Sequence, residues 1–360
     1  MRIALVHDWL TGMRGGEKVL EVLCELYPQA DLYTLVHLPN KMSGTINKMN
    51  IHTSALQHWP NIEKYYRYYL PIMPFMIERF NLQDYDCIVS TSHCVAKGIR
   101  YEEPVQHICY CFTPMRYIWD MYEDYFSNAS WWVRAGMRFI RGYLRQWDVE
   151  SSERVHHFVA ISQTVQERIQ RIYKKGTDII YPPVDVHAYN YIPEDRVSDY
   201  YLCVGAFAAY KRIDLIIEAF NKNKKKLIII GDGQEQTRLK KRAMDNITFL
   251  GWVDDSKLRS YYARARALIF PGLEDFGIVP VEAMACGTPV IAFNKGGASE
   301  TVINEKTGIL FNEQNVDALS KGIETFEKLR FNRETVREEA IKYARERFKK
   351  EINHYIETHI

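Results

Sequence analysis

Two carboxylates, Glu274 and Glu282, stand with seven residues between them in the run Glu274-Asp275-Phe276-Gly277-Ile278-Val279-Pro280-Val281-Glu282. The apolar run Ala267-Leu268-Ile269-Phe270 before them reads as a short strand, which Pro271-Gly272 breaks. Pro280 suits the first turn of a helix, where its missing N–H costs nothing. Gly287 and then Pro289 mark the end of that helix. The turn between strand and helix therefore places the N–H groups of Phe276, Gly277 and Ile278 at a helix N-terminus, where the dipole favours a phosphate and the glycine lets it approach closely. Glu282, about one turn into the helix, can accept both hydroxyls of a ribose. Glu274, before the turn, can reach hydroxyls of a second sugar. Such a site suits a molecule with a diol at each end and a pyrophosphate between them.

The elements that must hold these residues read as α/β. Apolar runs at 3–6, 87–89, 107–111, 158–161, 201–204, 227–230, 247–250, 267–270 and 290–293 alternate with helical patterns, as parallel strands buried on both faces do. Tyr181-Pro182-Pro183-Val184-Asp185 and the polar stretch through Ser198 interrupt the pattern near its middle and mark a hinge. A chain of 360 residues with 47% hydrophobic content supplies two cores of ordinary size. Its formal charge of +2 argues against a dedicated nucleic-acid binder, so no nucleic-acid partner is expected. Seven cysteines is an odd number, and the chain starts directly in an apolar strand, so reduced thiols and a cytoplasmic location are expected. Cys109 and Cys111 lack a second Cys or His pair at zinc-site spacing and read as small buried hydrophobes, and no structural metal is expected. No apolar run reaches the length of a membrane span, so membrane contact would be peripheral.

The segment from Glu274 through Ala283-Met284-Ala285-Cys286-Gly287-Thr288-Pro289-Val290 resembles the retaining glycosyltransferases of family 4. Together with His7-Asp8-Trp9-Leu10, Ser92-His93, Thr113-Pro114-Met115-Arg116-Tyr117, Tyr181-Pro182-Pro183-Val184-Asp185 and Tyr210-Lys211-Arg212-Ile213-Asp214, it looks like the O-antigen mannosyltransferase branch of that family. The resemblance implies the GT-B fold, two doubly wound Rossmann-like domains facing a central cleft. An acceptor-side domain would occupy 1–184 and a nucleotide-sugar-binding domain 185–340, with a C-terminal helix over 341–360 returning to the first. It also implies GDP-mannose as donor and a lipid-linked or oligosaccharide acceptor in surface polysaccharide synthesis.

By the same resemblance Lys211 stabilises the leaving pyrophosphate and Glu274 orients the donor sugar, with a covalent role for Glu274 as the lesser alternative. The family often carries an arginine directly after the glycine of Val204-Gly205, where this chain has Ala206; Arg212 is the candidate replacement. Gly15 and Gly16 would approach the donor phosphate, Gly233 would belong to a second glycine turn, and Val253, in Gly251-Trp252-Val253, to the edge whose backbone reads the nucleobase. His93 would lie near the acceptor or donor sugar. Phe112 stands where many family members have a histidine, and Arg116 either contacts substrate or makes a structural ion pair. Transfer with retained configuration needs no protein nucleophile, and no metal or other cofactor where a lysine and a helix dipole stabilise the departing diphosphate.

The acceptor side is carried by 131–147, where Arg134, Arg138, Arg141 and Arg145 recur at spacings of four, three and four with no acidic residue between them. This spacing puts them on one helical face, opposite Trp132, Phe139, Ile140, Tyr143, Leu144 and Trp147. Two readings stand: a basic amphipathic helix on anionic headgroups of the cytoplasmic membrane's inner face or on a lipid-linked pyrophosphate, or a core helix with solvated arginines. Four other functions compete with the main reading. They are a UDP-sugar transferase, a sugar-nucleotide epimerase of the same fold, a catalytically silent nucleotide-sugar-binding subunit, and a metal-dependent transferase using Asp84-Tyr85-Asp86, which precedes its strand and so lies at the wrong end for a ligand site.

Overall fold

The structure, a computed structural model, describes residues 2–120, 131–193 and 196–360, without the side chains of 131–135 and 137. The expectations for Trp132 and the Arg134 guanidinium concern side chains outside those described. The chain divides into two compact units, Met1–Pro183 with Phe348–Ile360, and Val184–Arg347.

The first unit is built on a parallel seven-stranded sheet: β1 (Ile3–His7), β2 (Asp31–Thr34), β3 (Asn50–Thr53), β4 (Cys87–Ser92), β5 (Gln106–Cys111), β6 (His157–Ala160) and β7 (Thr177–Ile179), in the order β3-β2-β1-β4-β5-β6-β7. β1, β4 and β5 are buried almost throughout, which is why their sequences read as continuous apolar runs. Strand order reverses between β1 and β4, so their carboxyl ends open the crevice where ligands bind in such sheets. The Gly15–Leu26 helix follows β1; its Glu17 accepts the Arg14 backbone N–H at 3.1 Å and closes a capping box. The last helix, Arg345–Thr358, places Phe348 on Tyr110 of β5, while Asn353 accepts a hydrogen bond from Tyr27 at 2.8 Å.

The second unit carries a parallel six-stranded sheet: β8 (Tyr201–Val204), β9 (Leu227–Ile230), β10 (Ile247–Gly251), β11 (Leu268–Phe270), β12 (Val290–Phe293) and β13 (Gly308–Phe311), in the order β10-β9-β8-β11-β12-β13. Its reversal lies between β8 and β11. All nine apolar runs of the sequence overlap strands. The unexpected ones, β2, β3, β7 and β13, are three or four residues long and begin with Asp, Asn, Thr or Gly, too short and polar to register as runs. The C-terminal helix expected over 341–360 is interrupted: Arg333–Ile341 ends, Lys342 to Ala344 turn, and a new helix starts at Arg345.

Candidate functional site

In the second unit the β8–β11 switch point gathers the residues expected to do chemistry. Beyond β8 the chain makes a short 3₁₀ turn, Ala209–Lys211, and enters the Ile213–Asn223 helix through Arg212, whose φ of 53° is left-handed. Lys211 forms an ion pair with Glu274, which follows β11. Both side chains are mostly shielded, at 19% and 15% exposure, so the lysine is held by the carboxylate expected to orient a sugar. Arg212 turns elsewhere: its guanidinium meets Asp214 at 3.3 Å and Gln314 Oε1 at 3.2 Å. A recess lined by Val204, Gly205, Lys211, Phe270, Pro271 and Gly272 lies beside the ion pair.

Past Glu274, Phe276 is buried against Tyr343, and Gly277, at φ 81°, turns the chain into the Ile278–Ala285 helix. An L side chain at that φ would be strained. Gly277 at the N-cap has no side chain with which to cap this helix start, and the positive end of the helix dipole favours an anion. Glu282 sits in the same helix, 7% exposed, and accepts the Tyr262 hydroxyl at 3.1 Å. Tyr189 also bonds to it. Burial, then the charge of Glu282, pushes both phenols above their ordinary range, so they remain hydrogen-bond donors. Gly233 follows β9, packed on the Phe207 backbone, and Val253 follows β10 beside Trp252, which is 78% exposed.

Sequence reasoning missed the loop that supports this turn. After β12, Gly297 donates its N–H to the Glu274 carbonyl at 2.9 Å, and a Cβ there would come within 2.2 Å of the Phe276 Cα. A Gly-Gly pair two residues after an apolar strand was the available signal. Tyr189 and Tyr262 were missed too, because nothing local marks a tyrosine as the partner of a carboxylate in another element.

In the first unit His93 follows β4, at the β1–β4 switch point. Its Nδ1 lies 2.8 Å from Asp8, which follows β1. Asp8 is fully buried and accepts four backbone N–H groups, from His93, Cys94, Val95 and Ala96, at 2.6 to 3.0 Å. Burial favours its neutral form, but the His93 charge and hydrogen bond prevail and draw its pKa down to about 2. Burial likewise opposes charge on His93, yet Asp8 outweighs it and raises the imidazole's pKa. Around His93 stand Trp9, with ring centroids 4.7 Å apart, and Phe112, at 6.4 Å. Arg116 is close enough for its charge to oppose that of the imidazole. Gly15 opens the next helix, and at Gly16 a Cβ would lie 3.2 Å from the Phe112 ring. Asp8 and Glu17 were not among the expected site residues, because the contacts that define Asp8 span 85 to 88 positions.

The basic helix needs correction. Arg141 and Arg145 both donate Nε–H to the Ile118 carbonyl at 2.8 Å, and Arg145 lies over the Trp119 ring. They satisfy a protein acceptor instead of forming an outward basic face. Nor do the expected apolar residues share one buried face: Leu144 and Trp147 are buried, but Phe139 is 83% exposed and Tyr143 is exposed as well. Arg138 is exposed. The Asp84-Tyr85-Asp86 run is structural: Tyr85 donates to Asp31 at 2.5 Å and Asp86 accepts the Arg2 N–H at 2.6 Å.

Both the sequence and the fold have known relatives. Residues 192–347 match the family described as glycosyl transferases group 1. The chain is 32% identical over 157 residues to the O-antigen chain mannosyltransferase RfbU of Salmonella typhimurium, covering 39% of this chain and 43% of that protein. It is 31% identical over 140 residues to the GDP-mannose-dependent alpha-(1-6)-phosphatidylinositol monomannoside mannosyltransferase of Mycobacterium tuberculosis, covering 34% of this chain and 36% of that one. The chain thus spans less than half the length of either relative. The solved lipopolysaccharide outer core galactosyltransferase WaaB, in its apo form, superposes with a TM-score of 0.70 over the full length of both chains at 14% identity, a likeness of fold. The fold is GT-B.

Proposed function

We propose, from the premise that residues 192–347 belong to the group 1 glycosyl transferases, that this protein transfers a hexose from a nucleotide sugar with retention of configuration. The observation that carries the reading is the Lys211–Glu274 pair at the switch point, one turn from the start of the Ile278–Ala285 helix. A diphosphate there meets a lysine and the positive end of a helix, which together stabilise the charge that grows as it departs. Its arrival frees Glu274 from Lys211 to accept sugar hydroxyls, and Glu282, braced by two tyrosines, takes the ribose. With the charge handled this way the transfer requires no metal.

The donor in this reading is GDP-mannose, and the acceptor a lipid-linked or oligosaccharide glycan in surface polysaccharide synthesis; the mannosyltransferases among the relatives support it. No described helix is long and apolar enough to cross a membrane. In this reading contact with the inner face of the cytoplasmic membrane is peripheral, through exposed Arg138, Phe139 and Tyr143 and not through Arg141 and Arg145. The test is turnover of GDP-mannose, UDP-glucose and UDP-galactose with chelator present, followed by release of GDP or UDP. Release of GDP from GDP-mannose alone fits the reading. UDP release overturns the donor, and loss of turnover with chelator overturns metal independence.

A further inference from the structure

The first unit holds a charged cluster that the donor chemistry does not use. Asp8 is fully buried where β1 ends, and the chain after β4 wraps around it, so that four consecutive N–H groups converge on its two oxygens. Four such bonds would suffice to anchor the loop. Asp8 makes a fifth contact, to Nδ1 of His93 at 2.8 Å, on the oxygen that also accepts the His93 backbone N–H. This fixes the ring twice, through backbone and side chain. It also assigns the Nδ1 proton to the carboxylate, leaving Nε2 as the atom that can exchange. Among the described residues no hydrogen-bond partner of Nε2 is present, while the side chain is 34% exposed at the mouth of the β1–β4 crevice. The neighbouring rings of Trp9 and Phe112 are apolar and limit where an incoming group can approach.

We propose that Asp8 is a positioning residue that holds the His93 ring so that Nε2–H donates a hydrogen bond to an oxygen of the bound substrate. This rests on the transferase reading above, and it adds the group that sets the imidazole's orientation and charge. The charged groups facing His93 come from every element around it: Asp8 after β1, Glu17 in the Gly15–Leu26 helix, Arg116 after β5, and His7 at the end of β1, which hydrogen-bonds to Thr91 at 2.7 Å. Asp8 and Glu17 favour the imidazolium and Arg116 opposes it. The carboxylates prevail over both burial and the arginine, so the ring remains a donor at Nε2 to higher pH than a free histidine.

The test uses the full chain labelled with ¹³C-histidine, with the His93 signal assigned by its loss in His93→Gln. The wild-type imidazole should titrate above the ordinary histidine value of about 6.5, and Asp8→Asn should lower it. With GDP-mannose turnover as the second readout, kcat/KM should fall on an alkaline limb that is absent in His93→Gln and displaced to lower pH in Asp8→Asn. A wild-type His93 titrating at or below about 6.5, or an Asp8→Asn protein slowed equally at every pH with its limb unmoved, overturns the proposal. If Asp8→Asn does not fold because the four-donor loop loses its acceptor, the wild-type titration decides alone on the same criterion. If GDP-mannose is not turned over, the donor reading fails, while the His93 titration still decides the proposal.

Discussion

The two units place their polar clusters at the same topological position, the reversal of strand order, yet build them differently. In the second unit the site is written almost continuously: Gly272 to Glu282 supplies a carboxylate, a left-handed turn, a helix start and a second carboxylate, while Lys211, the Gly296-Gly297 loop and the two tyrosines on Glu282 come from elsewhere. In the first unit nothing is local, since Asp8 gains its role only when a loop more than eighty residues away closes over it. The second site is organised by backbone geometry around a helix terminus, the first by one buried charge. A ligand's phosphate can be held by the former with little change in protonation. The latter depends on the proton of an imidazole.

The sharpest way to separate them is to remove the cation of the second site. Lys211→Ala should lower kcat/KM by about 100- to 1000-fold, as loss of one transition-state charge stabiliser does, whereas Glu274→Ala should suppress transfer comparably but leave GDP affinity largely intact. Equal loss of GDP affinity and transfer in Glu274→Ala would remove its assignment to the sugar.

Acid should act through the first unit. It holds every histidine except His187, and burial depresses His7 to about 4 and His107 to about 3. The folded state then refuses protons that the unfolded chain takes up near pH 6.5. Stability is therefore full above that pH and is lost as pH falls toward 4, by roughly 3 kcal/mol for His7 over the interval. Thermal unfolding followed from pH 7.5 to 4.5 should show this decline, and His7→Asn should flatten it. A melting temperature constant across that range would contradict it.

A smaller effect probes the support of the second site. Gly297→Ala forces a methyl toward the Phe276 backbone, at a cost of about 1–3 kcal/mol. Nucleotide affinity measured by calorimetry should fall with thermal stability, while the His93 titration stays unchanged. Smaller still, Tyr262→Phe removes one hydrogen bond from Glu282, about 1 kcal/mol, and should weaken nucleotide binding several-fold. If Tyr262→Phe instead bound as tightly as wild type, the tyrosine would be packing and not bracing.

This contrast also governs what could be read from the chain alone. The β11–turn–helix segment was legible because Pro271-Gly272, Gly277, Pro280 and Gly287 each punctuate a backbone event that occurs where they stand. The buried strands were legible for a related reason: β1, β4 and β12 are buried on both faces and each carries an apolar run. Edge strands such as β3 and β7, with polar residues and one neighbour, were not. The arginine helix misled because periodicity reports which residues share a face but not what waits opposite, and the Ile118 carbonyl accepts two of those arginines. The role of Asp8 is not legible from its neighbours in the chain, since its four donors come from a distant loop.

Calorimetric titration of the purified protein, with chelator present, against GDP, UDP, ADP and their sugar conjugates tests most directly whether the second unit's site accepts a nucleoside diphosphate sugar. Binding of GDP and GDP-mannose that Lys211→Ala weakens at least tenfold is the expected result. Absence of binding to any of these nucleotides, or binding that Lys211→Ala leaves untouched, would contradict it.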